Sequence, residues 1–368
     1  MQKKLIALAV AGMIAAPAFA QSNVTVYGRI DYGYLSADTD TTDAAGVKGS
    51  TETTSTGFGT GALTTSRLGV MGSEDLGNGL KANFNLELAI ASSTTYGANT
   101  LSTAGVRTSN SGNDLSNSFT TRLANVGLSG SFGAVTLGRQ TTAVETAWLV
   151  GSAGGVNNAT GSIYQSGIKQ NNTRSSELVT YTSPDMSGFK ASVQYGKGET
   201  DVSGNATGSD LSQKEVGFVV TYGNGPLNVA LGYSKEKGEH AGVEYADPRQ
   251  VVLSGNYDFG AAKVFGTYAH GSNDEGGLDK AKAWELGVNV PVGMATTLIA
   301  SYYDGSAEET AAAGGAEADI KGYQLGAVYS LSKRTKLYAL YGNKEADVQK
   351  SVESSETTNF ALGVRHDF

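Results

Sequence analysis

The sequence predicts an all-β fold: a 16-stranded antiparallel transmembrane β-barrel with a long loop folded into its lumen. Three observations predict it. Polarity alternates with period two over segments of about ten residues, the length of a tilted membrane strand. Connections between these segments alternate between short turns and long polar loops. One stretch, residues 141–172, is rich in Gly, Ala and Asn and carries no strand pattern, and a structureless segment of that length in a compact fold is usually functional.

Composition agrees. The 368 residues include 50 Gly, 18 Tyr and 11 Phe but only 5 Pro, which suits a closed barrel with aromatic girdles and suits a helical enzyme poorly. There is no cysteine, so an exported form depends on hydrogen bonding and packing rather than on disulfides. Lys3 and Lys4, an apolar run over 5–16 and Ala18-Phe19-Ala20 form the three parts of a secretory signal over 1–20, leaving a barrel over 21–368. That apolar run is too short for a membrane-spanning helix, and none of adequate length follows it. The net charge is −8; losing Lys3 and Lys4 with no acid makes it −10, which argues against a nucleic-acid partner.

Taken in order, the expected strands are 24–35, 63–74, 80–92, 119–130, 135–139, 177–182, 189–197, 215–222, 227–235, 250–257, 263–270, 284–290, 297–303, 320–330, 336–343 and 358–368. Turns such as Asp75-Leu76-Gly77-Asn78-Gly79 close one end, and loops such as 36–60, 93–118 and 307–319 extend from the other. An even strand number returns both termini to one side. The alternation is clear where Val229, Leu231 and Tyr233 interleave with Asn228, Ala230 and Ser234. It recurs where Phe360, Leu362 and Val364 interleave with Asn359 and Arg365. A soluble sheet of this size would have to cover its edges; closure in lipid removes them and satisfies every backbone group.

Short motifs run along the whole of this pattern: Val26-Tyr27-Gly28-Arg29, Ser66-Arg67-Leu68-Gly69-Val70, Gly72-Ser73-Glu74-Asp75-Leu76-Gly77, Thr121-Arg122-Leu123-Ala124-Asn125-Val126-Gly127-Leu128, Leu137-Gly138-Arg139-Gln140, Tyr181-Thr182-Ser183-Pro184 and a final Arg365-His366-Asp367-Phe368. As an ordered set they resemble the general (non-specific) trimeric porin family of Gram-negative outer membranes. The resemblance implies a homotrimer in outer-membrane lipid, exported through the periplasm. It implies passive diffusion of small hydrophilic solutes and ions through each barrel, no cofactor, and residues 141–172 as the constriction loop. By motif it places Arg67, Arg122 and Arg174 in a wall cluster facing acids on that loop, and makes Phe368 an assembly signal. Two departures stand out: the loop lacks the family's Pro-Glu-Phe-Gly motif, and Glu145 is its single acid.

Parity places some of these residues without the resemblance. Arg67 alternates with Leu68 and Val70, Arg174 is out of phase with Val179 and Tyr181, and Arg29 and Asp31 oppose Val24, Val26 and Ile30. A charge on the lipid face near the midplane would cost about 2–4 kcal/mol, so these side chains are expected in the lumen. Arg122 alternates poorly and rests on its motif. Arg139 shares the parity of Val135 and Leu137, so a subunit contact and a pore role stand level. With Arg29 and Lys190 added, and Glu145 and Asp31 opposed, the balance predicts a weak anion preference. The three histidines, His240, His270 and His366, form no catalytic or metal-binding spacing, so neither an enzyme nor a metal site is expected. The alternative is a surface-exposed adhesive or binding β-barrel whose external loops carry the function. A narrow barrel of that kind would be filled by side chains.

Overall fold

The computed structural model describes residues 23–43, 45–48, 53–61, 63–90, 119–152, 161–169, 171–200, 211–240, 243–273, 278–309, 315–349 and 351–368. The signal segment 1–20 and the loop 93–118 lie outside these residues. The strands are β1 (Asn23–Thr42), β2 (Thr53–Thr60), β3 (Arg67–Gly77), β4 (Leu80–Ile90), β5 (Phe119–Gly130), β6 (Gly133–Thr141), β7 (Arg174–Thr182), β8 (Phe189–Thr200) and β9 (Leu211–Asn224). They continue with β10 (Leu227–His240), β11 (Val243–Ala246), β12 (Pro248–Asp258), β13 (Lys263–Asn273), β14 (Leu278–Val292), β15 (Thr296–Glu309), β16 (Glu317–Ser330), β17 (Thr335–Val348) and β18 (Ser354–Asp367).

All pairing is antiparallel and the wall is a closed 16-strand barrel. The four-residue β11 only extends the end of β10. β2 and β3 share one position, both pairing with β1: β2 opposite residues 32–39, β3 opposite residues 23–29. The seam closes where β18 meets β1, from Thr42 opposite Ser354 down to Arg29 opposite Asp367. Two further bonds finish it, Phe368 N donating to Gly28 O at 3.0 Å and Gly28 N donating to Phe368 O at 3.1 Å. Closure leaves no strand edge in lipid.

Side chains follow the expected parity. Leu231, Leu286 and Phe360 are exposed on the outer face, while Ala230, Ser234 and Asn359 are buried toward the lumen. Several strands run past their expected ends, because their upper residues are polar on both faces and show no alternation. Thus 36–42 continue β1 and 53–60 form β2, where the sequence suggests a loop, and His240 ends β10 rather than lying in a loop. Residues 63–66, expected to begin a strand, turn inward instead; β3 starts at Arg67.

Candidate functional site: the lumenal aperture

The 141–172 segment leaves the wall after β6 and folds into the lumen. Its ends meet in a neck: Thr142 N donates to Thr173 O at 3.2 Å, and Thr142 Oγ1 donates to Asn172 O at 2.8 Å. The same hydroxyl oxygen accepts from Glu145 N at 3.3 Å and so caps α1 (Ala143–Val150), satisfying one of the free amides at the helix start. The sequence reading missed this helix: eight residues give it little more than two turns, and its stability comes from its seat on the wall.

That seat is made of small residues. A Cβ on Gly232 would come within 2.8 Å of Ala147 Cβ and 2.9 Å of Ala143 O, and one on Gly217 within 2.9 Å of Ala143 Cβ. Inward glycines on β9 and β10 therefore let the helix backbone lie directly on the sheet. Wall side chains then fasten it. Ser234 Oγ accepts from Val144 N at 3.2 Å, Ser254 Oγ donates to Ala147 O at 2.5 Å, and Asn256 Nδ2 donates to Val150 O at 2.7 Å. Further along, Ile163 N donates to Glu285 at 3.4 Å, and Asn172 donates twice to Glu236, each at 2.6 Å. Trp148, Ile163 and Ile168 complete an apolar cluster against Val219, Ala230 and Val252.

The loop's one acid is spent within the loop. Glu145 is 1% exposed; its carboxylate pairs with the Lys169 ammonium and accepts from the Tyr164 hydroxyl at 2.7 Å. Lys169 also sits 4.1 Å from the centre of the Tyr164 ring, a cation–π contact. Burial pulls the Lys169 ammonium below the ordinary lysine value, with the Glu145 charge opposing that shift. The loop therefore presents shape to the passage and almost no net charge.

Across from it stand Arg29 on β1, Arg67 on β3, Arg122 on β5 and Arg174 on β7, around a cavity of about 630 Å³. The loop contributes Glu145, Leu149, Val150, Ser152 and Tyr164 to its lining, and Lys263 reaches it from β13. Glu87 on β4 lies among the arginines. Its carboxylate is 2.5 Å from Arg122 Nε and 3.6 Å from Arg67 Nη1, and accepts from the Tyr27 hydroxyl at 3.1 Å. Arg29 pairs with Asp367 at 3.3 Å. Arg174 Nη1 donates to Thr173 Oγ1 at 3.1 Å and, among the described residues, has no carboxylate within ion-pair distance. The four guanidiniums and Lys263 outnumber Glu87, Asp367 and Glu145 around the cavity, and Glu145 is paired with Lys169.

The poor alternation at Arg122 has a structural cause. Glu87 pairs with Leu123 and Leu88 with Thr121, so Arg122 is the extra residue of a β-bulge. The bulge turns toward Glu87 a side chain that shares sequence parity with the outward Val126 and Leu128. Glu87 itself shares the parity of Asn83 and Asn85 against Phe84 and Leu86, a signal legible in the sequence. Asp31, expected in the lumen opposing the arginines, has no exposed surface and is held by hydrogen bonds. Lys190 lies away from the aperture, 3.6 Å from Asp185 beside a turn. Arg139 is on the outer face, donating to Thr121 O and Ser176 Oγ at 3.0 Å each. Among the described residues there is no cluster able to hold a metal ion, and no helix long and apolar enough to cross a membrane.

Comparison with known proteins follows the same lines. The family model described as Gram-negative porin matches residues 7–349. The chain is 34% identical over 397 aligned residues to outer membrane porin protein 32 of Delftia acidovorans, with all of both chains covered. Among solved structures it is similar to an anion-selective porin from Comamonas acidovorans, with a TM-score of 0.66 and 28% identity, covering 95% of this chain and 100% of that one. The trimer form of OmpT from Vibrio cholerae shares the fold at a TM-score of 0.63 and 17% identity, covering 94% of this chain and 99% of that one.

Proposed function

This chain belongs to the Gram-negative porin family, and from that premise we propose a homotrimeric, weakly anion-preferring diffusion pore. It is an outer-membrane channel for passive diffusion and not an enzyme. Its solutes are small, hydrophilic and unspecific, since the lining offers a charged ring and no dedicated pocket of convergent partners. The observation that carries the anion preference is the asymmetry of the aperture: guanidiniums on the wall, and a loop whose single carboxylate is neutralised by Lys169. A ring of Arg and Lys in a narrow aqueous neck favours anions and filters by size and charge rather than by tight binding. The similarity to an anion-selective porin supports that sign, and the trimeric form of a structural neighbour supports the assembly. In this reading residues 1–20 are removed on export and Phe368 serves as the assembly signal.

Planar-bilayer recording of the purified protein tests the proposal. Conductance that rises in groups of three steps, with a reversal potential on the anion side under a KCl gradient, is expected. Clear cation selectivity would sink the preference, and single independent steps would sink the trimer. Absence of any conductance would favour the adhesive-barrel reading.

A further inference from the structure

The wall is interrupted beside the arginine row. β3 pairs with β1 up to Arg29 opposite Arg67, and β2 resumes the pairing at Tyr32 opposite Thr60. Between these points residues 61 and 63–66 leave the sheet. Asp31, on β1 at the gap, takes up their hydrogen bonds. Gly61 N donates to Asp31 O at 2.7 Å, and Thr64 N donates to Asp31 Oδ2 at 2.8 Å. Ser66 Oγ accepts from Asp31 N at 2.9 Å and lies 3.0 Å from Asp31 O. The carboxylate's other oxygen accepts from the Tyr338 hydroxyl, on β17, at 2.8 Å. Gly61 has to be glycine, because a Cβ there would lie 1.5 Å from Asp31 Oδ1. Leu63 is buried against Phe265, Ile299, Tyr338 and Leu340, and so anchors the segment to β13, β15 and β17.

A buried carboxylate is costly unless fully bonded, and this one is bonded to the strap on one side and to the wall on the other. Leu63, Thr64 and Thr65 thereby line the same cavity as Arg29, Arg67 and the tip of α1. We propose that this inward strap is a second aperture element. Asp31 is its positioning residue, and passage is bounded by strap and helix together rather than by helix and bare wall. Solute size discrimination therefore depends on residues 63–65 as well as on the 141–172 loop.

The inference rests on the diffusion-pore reading. The chain contains no cysteine, so Thr65→Cys supplies a unique thiol. Its reaction with methanethiosulfonate reagents is read by single-channel conductance, with Lys333→Cys on the turn between β16 and β17 as control. A neutral reagent is expected to lower the conductance of Thr65→Cys channels roughly two-fold, and an anionic one of similar size to reduce anion preference as well, with Lys333→Cys channels unchanged. Asp31→Ala is expected to raise unit conductance and weaken the block at Thr65→Cys. Should that variant fail to assemble, Tyr338→Phe, which removes one bond to the carboxylate, is expected to act in the same direction. Channels of normal conductance that ignore modification at Thr65→Cys would overturn the strap. Absence of channels from the unmodified protein would overturn the diffusion-pore reading and the strap with it.

Discussion

On the wall side of the aperture four guanidiniums stand on four different strands, whereas on the loop side an eight-residue helix presents Leu149 and Val150. The wall side is held by the hydrogen-bonded ladder of the barrel, so its charges keep fixed positions. The loop side is held by close packing of Ala143 and Ala147 on Gly217 and Gly232, and by wall side chains reaching its backbone. Its only carboxylate, Glu145, lines the cavity but is held in a buried pair with Lys169. The difference separates two tasks: charge selection belongs to the strands, and aperture to the segments that leave the sheet for the lumen.

Variants that act on one side only sharpen this division. The largest effect among them is expected from Gly232→Leu, which leaves every charge in place but collides with α1. Overpacking of this kind costs ~1–3 kcal/mol, so the helix should lift from its seat. Unit conductance should rise while the sign of selectivity stays; unchanged conductance would show that the helix does not bound the passage. A smaller effect is expected from Glu87→Gln, which removes the acid lying among the arginines. The reversal potential should move further to the anion side, and a move toward cations would contradict the charge balance drawn around the cavity. The smallest is expected from the double change Glu145→Gln with Lys169→Met, which removes both members of the buried pair. Selectivity in the same salt gradient should stay within the scatter of the unaltered protein; a marked shift would mean that Glu145 does project charge into the pore.

Much of the barrel was legible because lipid on one side and water on the other force a strict period of two, as along β10 and β18. What escaped reading lies where that rule lapses. The polar upper ends of β1 and β2 stand beyond the apolar band and alternate nothing. Arg122 reached the lumen through a bulge, which shifts parity by one residue and leaves no mark in a single sequence. The burial of Asp31 comes from a strap thirty-odd residues away and from Tyr338 across the seam, contacts that no local pattern encodes. The pairing of Glu145 with Lys169 was open to reading, since they are the loop's only two charged residues, yet counting acids alone concealed it. Glu87 shows the reverse case: its parity with Asn83 and Asn85 marks it as lumenal, and no motif was needed.

The separation of charge from shape is tested most directly by the reversal potential of Arg67→Ser, Arg122→Ser and Arg174→Ser combined, recorded beside the unaltered protein under one KCl gradient. The account predicts channels that still conduct, with the loop seated as before, and whose anion preference has disappeared. An anion preference that survives the loss of all three guanidiniums would contradict it.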